Sequence, residues 1–145
     1  MKYTNEIELN LPIEKVIALF DDPANLPKWQ PGLISFENIS GTPGAPGAKS
    51  KLIFKMDKRD VEMIETITVK NLPDEFSGTY EMKGVMTIQK NKFIALSSFK
   101  TKWISESEIK FKGAMRVLAP FMKNAFKAQS YKYQELFKAF AESNS

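Results

Sequence analysis

The strongest constraint on this chain lies near its end. From Ala114 to Glu142, the residues Met115, Leu118, Met122, Phe126, Gln129, Tyr133, Leu136, Phe137 and Phe140 recur at three- and four-residue steps. At about 100° per residue they share one sector roughly 100° wide, so the segment reads as a long helix with a single apolar stripe. Such a helix needs a surface to lie on. Pro120 interrupts the pattern, removing a backbone hydrogen bond and disfavouring a helical Ala119, so a bend or restart is expected there.

What precedes the helix supplies that surface. Residues 5–9 alternate polar and apolar, placing Tyr3, Ile7 and Leu9 on one face of a strand that Leu11-Pro12 stops. Pro12 and Glu14 suit a helix start, and Ile13, Val16, Ile17 and Phe20 form its short stripe. Asp22 is placed to cap a second short helix that carries Leu26 and Trp29. Segments 33–39, 51–56, 61–69, 76–83, 85–97 and 99–112 then read as strands, with Leu52, Phe54 and Met56 on one face of the second of these. A Gly/Pro-rich loop at 41–47 and turns near Asp57-Lys58 and Leu72-Pro73-Asp74 separate them. The facing of 85–97 is ambiguous, because both of its parities mix polar and apolar residues. Short turns and period-two alternation imply an α+β fold: an antiparallel sheet of about seven strands, one face wet and the other covered by the last helix.

Composition narrows the chemistry. At 145 residues the chain is expected to form one domain, 1–145, with a single core. It has no Cys and no His, which removes disulfides, thiol nucleophiles, imidazole bases and nearly all zinc chemistry. No window approaches the ~18 consecutive apolar residues of a membrane span, and the first residues lack the apolar centre of an export signal, so a cytoplasmic location is expected. The net charge of +4 comes with no nucleic-acid-binding signature, and nucleic acid is not expected as a partner. Gly47-Ala48-Lys49-Ser50 is not a phosphate loop: Gly and Lys are not adjacent, and a strand follows where a helix should. No cofactor and no metal is expected.

The opening segment 7–16 together with Asp22-Pro23-Ala24-Asn25-Leu26-Pro27-Lys28-Trp29, and the closing helix ending in Phe137-Lys138-Ala139-Phe140, resemble the START-like (SRPBCC) helix-grip superfamily, which includes polyketide cyclase/dehydrase and lipid-transport proteins. The resemblance covers essentially the whole chain. It implies a curved sheet wrapped around the long helix and an apolar cavity between them that holds a small lipophilic molecule. It transfers no functional residue, so candidates come from strand parity and helix facing alone.

Glu65 shares its strand face with Val61, Met63, Ile67, Val69 and Arg59. If that face is interior, its carboxyl has a raised pKa and can move protons, or it pairs with Arg59 or with a hydroxyl such as that of Tyr80 or Tyr133. At the cavity rim it would instead be an ordinary solvated carboxylate. Trp103, Ser105, Ser107, Ile109 and Phe111 form a mixed face that suits a cavity, with Phe54, Met122 and Phe126 as apolar contacts and Gln129 as a polar interruption of the helix stripe, or else an ordinary packed core with the serines at a wet end. Met63 is a further adaptable lining residue, and Trp29 is either a lid or a hinge plug. Arg116, Lys123, Lys127 and Lys138 fall on one flank of the helix, where they could meet an anionic membrane or simply face solvent. Three functions follow: a non-catalytic carrier of a small lipophilic molecule, a cyclase or dehydratase using Glu65 as acid/base, and a protein-interaction module.

Overall fold

The computed structural model describes residues 1–144, with Met56 described by its backbone alone; the side-chain facing expected for Met56 lies outside the described residues. Strand β1 (Lys2–Leu9) is followed by α1 (Ile13–Phe20), a short 3-10 turn (Pro23–Asn25) and α2 (Leu26–Trp29). Strands β2 (Leu33–Ser40), β3 (Lys49–Met56), β4 (Arg59–Asn71), β5 (Glu75–Met82), β6 (Val85–Ser97) and β7 (Lys100–Phe111) come next. A 3-10 turn (Gly113–Val117) leads into α3 (Ala119–Ser143). Asp22 caps the 3-10 turn, Ala24 N donating to its Oδ1 at 3.0 Å, and not α2 itself, whose N-cap Asn25 makes no side-chain cap bond. The three-residue turn separates the expected cap from the helix that carries Leu26 and Trp29. Pro120 lies in the first turn of α3, so the long apolar pattern restarts at the proline instead of running through it.

All seven strands join one antiparallel sheet in the order β1-β7-β6-β5-β4-β3-β2. Six strands form a meander, and β1 returns to pair with β7, so the N-terminal strand lies beside the last one. Curvature is built into the β4–β5 ribbon. A bulge falls between Ile67 and Val69, and a Cβ added at Gly78 would come within 2.9 Å of Thr66 O, so only glycine lets the two strands approach there.

Register fixes which residues face the helix. Tyr3, Asn5, Ile7 and Leu9 of β1 stand opposite Ser107, Ser105, Trp103 and Thr101 of β7, and these pair in turn with Gln89, Asn91, Phe93 and Ala95 of β6. The ambiguous strand is thereby resolved: Val85, Thr87, Gln89, Asn91 and Phe93 point to the concave side.

The largest apolar cluster unites β1, α1, α2, β6, β7 and the second half of α3 through Leu9, Val16, Trp29, Phe93, Trp103 and Phe137. Phe20 bridges it, with ring centroids 4.9 Å from Phe93, 5.5 Å from Trp103 and 5.8 Å from Phe137. Trp29 lies 5.1 Å from Phe137, edge to face. A second cluster, Tyr3, Val85 and Ile109 with Met82, Phe111, Met115 and Phe126, sits under the start of α3. A third, Leu33, Leu52 and Phe54 with Phe36 and Met63, belongs to β2–β4.

Polar side chains seat the helix. Tyr3 Oη and Ser130 Oγ are 2.7 Å apart, Asn5 Nδ2 donates to Lys127 O at 3.0 Å, and Gln134 Nε2 donates to Trp103 O at 3.5 Å. Gln134, Phe137 and Ala141 are the buried positions of α3, whereas Gln129 is exposed. The expected interruption of the stripe by Gln129 is corrected accordingly: the inward amide is that of Gln134. Removing the Phe137 ring should therefore cost about 3–5 kcal/mol in chemical denaturation, while Gln129→Ala should change stability by less than about 0.5 kcal/mol. Equal losses from the two substitutions would mean that α3 is rotated from this seating.

Candidate functional site

Between the three apolar clusters the concave face is polar. One transverse row runs Ser50, Glu65, Tyr80, Thr87 across β3 to β6, each residue directly opposite the next. The adjacent row carries Ser107 and Gln89, and the one beyond it Ser105 and Asn91. These rows differ in access. Ser50, Ser105, Ser107 and Asn91 are buried, whereas Glu65, Tyr80, Thr87, Gln89, Met63 and Met82 are only partly so although they sit on the concave side. The backbone of α3 comes closest to β1 and α2 and runs farther from β3–β5. The helix backbone thus lies over the β1 side of the concave face and farther from the Glu65 side.

Glu65 and Tyr80 are the titratable pair on that side, and both are shifted by burial. As cross-strand partners they are held side by side by the ladder itself, which sets the Tyr80 phenol beside the Glu65 carboxylate. Burial raises the Glu65 pKa above the ordinary carboxylate value, and the hydrogen bond from Tyr80 opposes that rise without cancelling it. Tyr80 is raised well above the usual phenol value, first by burial, then by the negative charge of Glu65 and by its bond to that group. The phenol therefore stays a proton donor at neutral pH. The carboxyl can hydrogen-bond a guest in either protonation state. Of the partners open to Glu65 in the sequence, Tyr80 is the one set directly opposite it; Arg59 is exposed at the end of β4, and Tyr133 packs against the aromatic cluster.

The other candidates divide by location. Met63 lies near Glu65 on β4 and borders the third cluster. Met122 and Phe126 are half-buried on α3, with Phe126 edge-on to Phe111 at 5.8 Å. Phe54 is buried within the third cluster. Ser105 Oγ accepts from Gln89 Nε2 at 3.2 Å. Trp29 and Trp103 are both enclosed in the aromatic cluster, and Trp103 Nε1 donates to Asn91 Oδ1 at 3.0 Å. Trp29 is packed within that cluster, 5% exposed. Ser107 Oγ, Gln134 Oε1 and Trp29 Nε1 are buried without a hydrogen-bond partner, an arrangement that costs about 1–3 kcal/mol per group when nothing meets it.

Thr87, Gln89 and Ser50 were not singled out in the sequence. The signal was present in the spacing Val85-Thr87-Gln89-Asn91-Phe93, apolar at both ends and polar in the middle, which matches Ile109-Ser107-Ser105-Trp103 on the neighbouring strand.

No protein-family model and no curated protein sequence matches the chain. Solved structures do. A START superfamily protein from Mycobacterium smegmatis superposes with a TM-score of 0.83 at 12% identity, covering 99% of each chain. The Zhui aromatase/cyclase from Streptomyces sp. R1128 gives 0.80 at 11% identity over 98% of this chain and 93% of its own. Norcoclaurine synthase from Thalictrum flavum, in complex with dopamine and hydroxybenzaldehyde, gives 0.71 at 13% identity over 100% and 88%. Identities this low establish the fold, and it is the START-like helix-grip fold.

A carboxyl whose native-state pKa lies above its unfolded value favours the native state below the unfolded value, and that advantage is lost as pH rises through the native one. Glu65→Gln should consequently be more stable than the parent protein at neutral pH, with the gap closing as pH falls below the ordinary carboxylate range. Tyr80→Phe removes the bond that opposes desolvation and should move the Glu65 titration to still higher pH, read by NMR of the glutamate carboxyls. An unchanged or lower midpoint would break the pairing argument.

Proposed function

We propose that this chain, built on the START-like helix-grip fold, is a cytoplasmic protein that binds and carries a small lipophilic molecule between its concave sheet face and α3. The observation that carries the reading is the partial exposure of Met63, Glu65, Tyr80, Met82, Thr87 and Gln89 on the face that should be the driest. Apolar clusters on three sides would hold a hydrocarbon body, and Met63, Met82 and Met122 provide side chains that adapt to its shape. Glu65 and Tyr80 would fix a carbonyl or hydroxyl on that body. Ser107 Oγ, buried and unpartnered one row away, supports a guest with a hydrogen-bonding group. The proposal calls for no cofactor.

A second reading, dehydrative cyclisation of a polyketide-like substrate with Glu65 as acid and base and Tyr80 assisting, is favoured by the raised proton affinity of the carboxyl. The two readings separate at Glu65. A fluorescent fatty-acid probe should bind the parent protein with one-to-one stoichiometry, and Thr87→Trp, which adds bulk on the Glu65 side, should weaken it by roughly ten-fold or more. Failure of the parent to take up the probe would eliminate the carrier. For the enzyme, Glu65→Gln should abolish turnover of a polyketide-like thioester while probe binding persists; undiminished turnover would exclude Glu65 as the catalyst.

A further inference from the structure

Between Ile109 and Gln134 the chain carries Lys110, Lys112, Arg116, Lys123, Lys127 and Lys132 and not one acidic residue. Taking those six from 21 basic residues leaves 15 against 17 acidic ones, so the rest of the protein is slightly negative and the positive excess is local. In the middle of this stretch, where the 3-10 turn meets α3, Val117, Leu118 and Phe121 are 74%, 46% and 84% exposed. Large apolar side chains so exposed, so close together and ringed by cations are unusual on a surface with no partner.

The tip is held in place. Lys112 N donates to Gly84 O at 2.9 Å, and Met115 folds back over the β5–β6 turn, where a Cβ on Gly84 would meet Met115 Cγ at 2.8 Å. Met115 also joins Phe111 and Phe126 in the cluster beneath. With Met115 anchored inward, the residues that follow it project outward. Among the described residues Lys112, Arg116, Lys123 and Lys127 form no ion pair, whereas Lys138, on the same flank by sequence, is committed to Glu142 at 3.9 Å and Lys110 lies 4.0 Å from Glu108.

We propose that this tip docks the protein on an anionic lipid bilayer, with Val117, Leu118 and Phe121 entering the boundary between headgroups and acyl chains and Lys112, Arg116 and Lys123 meeting lipid phosphate and carboxylate groups. Charge complementarity selects the partner. A uniformly positive rim around protruding apolar side chains matches a negative, deformable apolar surface, and apolar insertion combined with several cations supplies the two signals that reversible membrane attachment needs. The inference stands apart from what the interior holds.

Flotation with phosphatidylcholine vesicles, with and without about 30% phosphatidylserine, tests it. The protein should float with the anionic vesicles and not with the neutral ones, and about 0.5 M salt should release it. Phe121→Asp, and separately Arg116→Glu with Lys123→Glu, should weaken vesicle binding by roughly ten-fold or more. Their melting temperature and fatty-acid-probe binding should match the parent, which keeps this test independent of the cargo reading. Absence of flotation, equal flotation on both vesicle types, or variants that bind like the parent would overturn the proposal. So would a concentration-dependent dimer that Phe121→Asp dissolves, since the patch would then belong to a second copy of the chain.

Discussion

Three hydrogen bonds between the sheet and α3 decide what the rest of the molecule can be. The Tyr3–Ser130, Asn5–Lys127 and Gln134–Trp103 contacts all tie the helix to β1 and β7, at one edge of the curved sheet. Such bonds, one buried and two part-buried, contribute little net stability when made, but a buried group that loses its partner costs about 1–3 kcal/mol, so they specify position more than they add strength. Once the helix is held there, Phe137 completes the aromatic cluster with Trp29, Trp103 and Phe20, and Phe126 caps the cluster of Val85 and Ile109. The β3–β5 half of the concave face is left with less above it.

That asymmetry gives the Glu65–Tyr80 pair its character. A carboxyl on a solvated face would titrate like any other, and one sealed in the core would require a cation or several donors to be tolerated. Glu65 has a single phenolic donor and partial access, which leaves its proton affinity raised but its carboxyl within reach. Groups of this sort detract from stability, and perturbed carboxyls of this kind cluster at functional sites, which is why the proposal places the guest's polar group here. The polar row from Ser50 to Thr87 has the same logic.

Much of the architecture was legible because it rests on local rules. The alternation around Ile7 and Leu9, the cap at Asp22, the Gly/Pro loop after Ser40 and the proline at 120 each act within a few residues, and each appears where the chain places it. Glu65 stood out for a similar reason, since strand parity put an acid among apolar neighbours. Facing decided by distant partners was less accessible. A helical wheel cannot distinguish Gln129 from Gln134 when Tyr3 and Asn5, more than a hundred residues away in the chain, determine the rotation of α3. Trp29 and Trp103 carry aromatic side chains that suit either a pocket wall or a core, and their enclosure by Phe20 and Phe137 is not visible in any local pattern. The strand from Val85 to Ser97 was ambiguous because its inward polar residues serve Trp103, Phe76 and Ser105, partners that no local pattern reveals.

The helix is tied to the β1–β7 edge of the sheet, and the proposal is that a small apolar guest enters on the β3–β5 side. Methyl NMR of the protein labelled at methionine, with a medium-chain alcohol added stepwise, tests that entry directly. If a guest lodges there, Met63, Met82 and Met122, all half-buried, would meet it, while Met86 alternates to the convex side of β6. Saturable shifts at the first three with Met86 unmoved are the expected result; shifts that never saturate, or that are as large at Met86 as at Met63, would contradict the account.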